Sequence, residues 1–450
     1  MIARPRRRSA LLCGLLFLAS ACGGSALRLA DVTPEAVPAL QSEAAQHPGN
    51  ATAMTRLGVA YFRAQRYAEA ESVLDSVVTR DPQNGIAAIY LGMSREAQGN
   101  FAAARDSYQR FLAVARSGEL KATAGSRLNL MGRRELEYAA QQSLANEAQL
   151  SQTPPEPGTI AVMPFGYSGT NPEIQPLTRG FAQLVVTDLA KSRQVHVLER
   201  ERMQAMVNEM QLSEQGRTDP ASAVRSGHLL RAERVVQGSL ADQASNLRVD
   251  ATVVDVNTAG VAASVPPATD QLARLFDMEK LVVFRIFDGL GIQLTDAERA
   301  QVEQRPTQNI QAFLAWSRGL EAEDNGDYAG ARQFYEEAQR LDPGFRAAGQ
   351  SVADASSLQA ASVQTLQDVD LTVAQQAPAE ANPVSPDRLQ DQLASASTSV
   401  NPPPGPIQQS SVQDQQTAVQ PIERSTTPDA TRSTGVTPVV GTVIIVIRRP

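Results

Sequence analysis

The chain has 450 residues, 42% hydrophobic, 20% charged and only 5% aromatic, a mixture long enough for about three domains but too lean for one uniformly packed enzyme. Its formal net charge is -7, and its basic side chains, with 3 lysines among 41, are scattered, so no broad basic face is present to hold a polyanion. Nucleic acid is excluded as the expected partner, and the absence of a Gly-x-x-x-x-Gly-Lys-Ser/Thr loop removes the usual phosphate cradle.

At the N-terminus, Arg4, Arg6, Arg7 and Arg8 precede a 12-residue apolar run from Ala10 to Ala21. That run is too short to span a bilayer but suits the core of an export signal. It ends in the small residues Ala19, Ser20 and Ala21, followed by Cys22. The pattern resembles the bacterial lipoprotein box, with Ala19 where leucine is usual, and makes residues 1–21 a lipoprotein signal peptide. The resemblance implies a covalent lipid on Cys22 and no other cofactor. Gly23, not being aspartate, implies transfer to the outer membrane, with the protein lipid-anchored and facing the periplasm. The other cysteine, Cys13, lies in the segment to be removed, so the mature chain would carry one thiol and no internal disulfide. Acylation resolves that poor fit to an oxidising compartment.

Residues 22–50, with Pro34, Pro38 and Pro48, are expected to form a tether, and residues 51–150 to form helical repeats. Five pairs recur at a spacing of 34: Leu57 and Leu91, Gly58 and Gly92, Tyr67 and Phe101, Ala70 and Ala104, Leu74 and Tyr108. In a helical hairpin, Gly58 and Ala70 let two backbones approach, Tyr61, Tyr67 and Leu74 fill the gap, and Pro82 ends the second helix. In the second copy Arg116 replaces that proline. Two further helices, at 120–131 and 133–150, are expected to cap the pair. Within 289–348, Gly319, Tyr328, Ala331, Tyr335 and Pro343 repeat the arrangement, with helices at 309–325 and 328–341 and with Trp316 in an inter-helix role. The pattern resembles the tetratricopeptide repeat, which implies partners bound through helical-repeat surfaces. One hairpin cannot bury both faces, so 309–343 is expected to lean on the middle domain.

That domain is expected at 159–288, after the Pro-rich linker 151–158. Strands are predicted at 159–165, 195–198, 233–240, 247–256 and 260–265, helices at 173–191, 199–212, 220–230 and 268–286, and a hairpin turn at Asn257-Thr258-Ala259-Gly260. The blocks Ile160-Ala161-Val162-Met163-Pro164-Phe165, Val197-Leu198-Glu199-Arg200, Gly227-His228-Leu229-Leu230-Arg231-Ala232, Val235-Val236-Gln237-Gly238-Ser239-Leu240 and Val254-Asp255-Val256-Asn257-Thr258-Ala259-Gly260 resemble the curli-secretion lipoprotein family. The fold class so implied is α/β: a CsgG-like periplasmic α/β sandwich flanked by tetratricopeptide-type repeats, with a disordered C-terminal tail. The family includes ring-forming channels, which implies a homo-oligomer as one alternative. A barrel hairpin needs strands of about 9 to 11 residues, whereas only residues 241–246 join Leu240 to Leu247, and Pro266-Pro267 leads straight to the next helix.

His47, His196 and His228 show no metal or acid-base spacing, and the Glu199-Arg200-Glu201-Arg202 run is expected to be the first turn of a helix, with acids near its positive end and arginines partly offsetting them. Gly166-Tyr167-Ser168-Gly169 is expected to be a turn. Residues 349–438 are expected to be a low-complexity tail, with six prolines and six glutamines in 401–430, and 439–450 an apolar β-prone end. The expected function is that of a non-enzymatic outer-membrane lipoprotein, a periplasmic scaffold or assembly factor binding envelope or secretion proteins. The alternatives are a subunit of a curli-type secretion channel and, third, a hydrolase or other enzyme.

Overall fold

The computed structural model describes residues 28–213, 216–243 and 246–381. Cys22 and the apolar end 439–450 lie outside these residues. The chain opens with a buried lead-in: Leu29 and Val32 are almost fully enclosed, and α1 (Val37–Gln46) turns Val37, Leu40 and Ala44 inward at helical spacing. Over residues 28–50 the expected tether is therefore a packed segment, because these five apolar side chains cover the first face of the repeat that follows.

Three hairpins then follow one design. The first pairs α2 (Ala51–Arg63) with α3 (Tyr67–Arg80), and the second pairs α4 (Gly85–Ala97) with α5 (Phe101–Val114). Asparagines start the leading helices: Asn50 accepts the N–H groups of Thr52 and Ala53 at 3.0 and 3.2 Å, and Asn84 accepts that of Ala87 at 3.0 Å. A left-handed residue closes each tight turn: Gln65, Gly99 and, in the third hairpin, Gly326. The expected helices at 120–131 and 133–150 are instead one 28-residue helix, α6 (Gly118–Ala145), followed by the single turn α7 (Glu147–Leu150). Gly132 does not interrupt α6, since a glycine inside a helix costs only about 1 kcal/mol and packing on both sides holds the helix straight on.

The central sheet has the order β3-β1-β4-β5-β6, from β1 (Glu156–Val162), β3 (His196–Val197), β4 (Ala232–Gln243), β5 (Asn246–Asp255) and β6 (Gly260–Gln271), with β2 (Gly166–Tyr167) beside the end of β4. β1 runs parallel to β3 and β4, and the crossovers contain α8 (Leu177–Leu189), α9 (Arg200–Glu209) and α10 (Pro220–Leu230). Strand alternation builds two cores. Ile160, Val162, Val236, Val249 and Val253 join α8 and α11 (Leu275–Gly289) on one face. Ala161, Met163, Val235, Val254 and Val256 join α9 and α10 on the other.

Several expected boundaries move. β1 starts at Glu156, inside the expected linker, where its backbone N–H bonds to the carbonyl of Arg231 at 2.9 Å. α9 stops at Glu209 rather than 212. β4 and β5 stay in register as far as Gln243 and Asn246. β6 continues through Pro266-Pro267 to Gln271, so the next helix begins at Leu275 rather than 268. This is tolerated because β6 is an edge strand and the prolines sit where Ala251 pairs with Val265 and Val249 with Ala268, a one-residue bulge.

After α12 (Asp296–Val302), the third hairpin pairs α13 (Ile310–Asp324) with α14 (Tyr328–Leu341). It leans on the α/β domain as expected: a Cβ on Gly180 of α8 would lie 2.1 Å from Ser317 Oγ of α13. Trp316 sits in the core between Phe313 and Phe345, its Nε1 donating to Ser351 Oγ at 3.0 Å. The chain then forms α15 (Arg346–Val363) and α16 (Leu366–Ala381). The tail expected from 349 therefore begins no earlier than 382, because Leu358, Ala361, Val369, Val373 and Ala377 bury themselves against the first two hairpins. Residues 382–450 lie outside the described ones.

Buried between α8 and α11, Glu279 is fully enclosed, and Lys280, 3.1 Å from it, also holds Asp188. Burial, reinforced by the Asp188 charge, pushes the Glu279 carboxyl up to about 8. A raised carboxyl favours the fold fully below its unfolded value near 4.5 and loses that contribution as pH rises toward 8. Unfolding midpoints measured across this window are expected to fall with pH, and Glu279→Gln is expected to flatten the slope.

Glycine substitutions separate contact from propensity. A Cβ on Gly319 would lie 2.3 Å from the buried Tyr335 ring, whereas one on Gly125 in α6 meets nothing within 4 Å. Thermal unfolding is expected to show Gly319→Ala destabilised by about 1–3 kcal/mol and Gly125→Ala stabilised by about 0.5–1 kcal/mol.

Candidate interaction groove

Most residues singled out by the repeat spacing lie inside the three hairpins. Leu57, Ala70, Leu74, Leu91, Ala104, Tyr108, Ala331 and Tyr335 are buried, and Gly58, Gly92 and Gly319 each face the residue 16 positions on: Leu74, Tyr108 and Tyr335. Tyr67, Phe101 and Tyr328 are half-buried at the start of each second helix, and Pro82 and Pro343 are exposed after its end. Tyr61 is turned toward the lead-in, where Gln41 Nε2 donates to its hydroxyl at 2.6 Å.

Two of the three hairpins share a polar feature that the spacing did not reveal. Tyr108 donates to Glu96 at 2.8 Å, and Tyr335 donates to Glu323 at 2.6 Å, each glutamate four residues after its hairpin glycine. Burial, together with the Glu96 charge, holds the Tyr108 phenol well above its ordinary range, so it remains a proton donor. Both glutamates continue to arginines of α6: Glu96 to Arg127 and Glu323 to Arg133. Beside them, Asp324 at the end of α13 binds Arg200 at 2.6 Å and lies 3.7 Å from Arg179. Burial works against the Arg200 charge, but Asp324 and Glu201 outweigh it and raise its proton affinity. The first helical turn expected at 199–202 forms at the start of α9, and within it Arg200 is an enclosed ion-pair partner because α13 ends directly over that turn.

The inner face of the first two hairpins forms a groove along α4 and α6, and α16 lies in it. Asp370 is gripped by Arg63 Nε at 3.0 and 3.1 Å and Nη2 at 2.9 Å, and it also accepts the Tyr90 hydroxyl. Burial, and next the Asp370 charge, push the Tyr90 phenol well upward, which keeps it a donor. Arg63 Nη1 meanwhile donates to the carbonyls of Leu29 and Val32 at 2.6 and 2.5 Å, tying the lead-in to the same anchor. At the other end, the backbone N–H groups of Arg116 and Ser117 donate to the buried Glu380 carboxylate at 3.0 and 2.9 Å, just before α6 begins.

Other candidates have structural roles. The turn expected at Gly166-Tyr167-Ser168-Gly169 is instead opened by strand β2, Gly166 and Tyr167 pairing with Ser239 and Leu240 of β4, and Asp242 accepts the Thr170 N–H just beyond at 2.8 Å. His47 caps α1, His196 is exposed in β3, and His228 borders a shallow cleft of about 470 Å³ beside the Arg225–Glu147 pair. Among the described residues no cluster of three or more histidine, cysteine or acidic side chains suits a metal ion.

Three segments match the tetratricopeptide repeat family, at residues 24–85, 87–114 and 315–345, the first including the lead-in. Residues 141–242 match the family described as curli production assembly/transport component CsgG. No curated protein matches the chain. Similar solved structures include the LpoB C-terminal domain from Salmonella enterica, 12% identical over 30% of this chain and 98% of that one, with a TM-score of 0.22. They also include a tetratricopeptide repeat protein from Parabacteroides merdae, 12% identical over 71% of this chain and 91% of that one, with a TM-score of 0.21. The chain carries tetratricopeptide repeats on both sides of a CsgG-like α/β domain.

Proposed function

We propose that the protein is a lipid-anchored scaffold or assembly factor of the bacterial outer membrane, working on its periplasmic side in envelope biogenesis or secretion. The observation that carries this reading is the union of two repeat blocks and one CsgG-like domain in a single packed body. Repeats present side-chain-lined surfaces to other proteins, and the basic, apolar and small residues ending at Cys22 supply the anchor. The scaffold is preferred to a channel subunit because β4 and β5 pair without interruption up to residues 243 and 246, leaving two residues between them. Envelope or secretion proteins are the partners in this account, with the membrane reached through lipid.

Two measurements test it. Fractionation with mass spectrometry of the N-terminal peptide is expected to find the parent in membranes with a lipid-modified Cys22, and Cys22→Ala uncut or soluble; an unmodified mature N-terminus elsewhere would remove the anchor. Purified protein added to a planar bilayer is expected to give no stepwise conductance, and reproducible large steps would put the channel in place of the scaffold.

A further inference from the structure

The groove of the first repeat block is already occupied by the chain's own helix, and the manner of its binding separates ends from middle. The two ends of α16 are held by charge. Asp370 meets Arg63 and Tyr90, and ten residues later Glu380 meets two backbone N–H groups, while Arg116 Nη1 donates to the Glu380 carbonyl at 3.0 Å. Along the helix a narrow apolar stripe, Val369, Val373 and Ala377 at spacings of four, is fully buried. Leu371 on the outer face is 61% exposed, and Pro378 sits inside the last turns of the helix, where it supplies no N–H.

Separate anchoring of α15 leaves α16 with a joint. Arg127 Nη1 donates to the carbonyls of Ala361 and Gln364 at 2.9 and 3.0 Å, which fixes the end of α15. Phe345 and Ala348 at its other end belong to the core shared with the α/β domain. α16 starts afresh after Thr365, whose N–H and hydroxyl bond to Asp368 at 2.8 and 2.7 Å. Rotation about residues 364–365 would lift α16 and leave α15 seated.

We propose that α16 is a displaceable occupant of this groove, and that the groove receives a partner's helix carrying two carboxylates ten residues apart with small apolar side chains between them. Ten residues of α-helix span about 15 Å, the interval between the Arg63–Tyr90 anchor and the N–H pair at the start of α6. Charge complementarity selects the partner: both anchors turn donors toward the bound helix, so a basic or neutral helix would leave Arg63 Nε and Nη2 at one end and two backbone N–H groups at the other without the acceptors they now have. The proposal rests on reading the repeats as interaction modules and adds what they recognise and how access is controlled. The resident helix lowers the apparent affinity for any competitor in proportion to the time it spends bound.

A fluorescent peptide with the sequence of residues 365–381 serves as the probe, and full-length protein as the receptor. The variant Asp370→Asn, Glu380→Gln, which loosens the resident helix and leaves the groove intact, is expected to bind the peptide at least tenfold more tightly than the parent. A peptide in which the same two acids are amides is expected to bind that variant at least tenfold more weakly. Equal binding by parent and variant, or indifference to the two acids, would overturn the proposal. Should the variant not fold, hydrogen exchange on the parent decides the question: α16 amides are expected to exchange at least tenfold faster than those of α4 and α6, and exchange at a common rate would make α16 a fixed part of the fold. Loss of the lipid-anchor or scaffold reading would leave both results unchanged, so the two failures are distinguishable.

Discussion

Glu96 and Glu323 occupy the same place in two hairpins more than 200 residues apart, and each passes its charge to one helix, α6. This convergence is the constraint on which the remaining packing depends. Arg127 and Glu96 are both nearly fully enclosed, so neither is satisfied by water, and removing one partner of such a pair typically costs about 3–5 kcal/mol. The pair adds little net stability over a well-packed apolar contact. Its effect is to make one placement of α6 acceptable, since any slip along the helix leaves a buried charge alone. α6 also places Ala140 in the core under α9, so the ion pairs that fix its register fix the α/β domain as well.

The chain is therefore poorly described as three domains on linkers. A continuous core runs from Ile160 on the sheet through α8, α11 and the third hairpin to Ala355 in α15, and α15 then reaches the first repeat block. Damage to a hairpin is transmitted to the sheet through Gly180 and Ser317, where two helices touch with no room for a methyl group. Arg200, Asp324 and Arg179 close the same junction with charge where the helix ends meet. Small residues set the distance of approach there, and ions set the direction.

Features fixed by one or two neighbouring residues were legible in the sequence. The spacing of 34 between Gly58 and Gly92 follows from a close helix contact that only a missing side chain permits, and it located both that hairpin and the third. The strand blocks around Ile160 and Val235 were equally plain, because alternation to two buried faces leaves almost no polar residue between. What remained hidden depends on partners far along the chain. Arg63 and Asp370 are 307 residues apart, and α16 has too narrow an apolar stripe, ending in Pro378, to announce itself as a packed helix. α15 was concealed by its alanines and serines, which suit close helix crossings as well as they suit unstructured chain. Pro266-Pro267 suggested a break because proline is a barrier inside a sheet, and only its place at an edge bulge removes the objection.

The position of α6 also bears on how such a protein can change in length. An open stack of hairpins grows by duplication of one unit, since each new hairpin meets only its neighbours. Here the end of the first block faces α15 and the α/β domain rather than solvent, and Asn129 and Ser126 on α6 already touch Ser357 across that face. A hairpin inserted after α5 would carry Glu96 away from Arg127 and empty the groove of its own helix, so the block cannot lengthen one unit at a time. Variation in size is better suited to positions away from this closed junction, such as the turn at 257–260 between β5 and β6, where an insertion would leave Glu96, Arg127 and the groove in place.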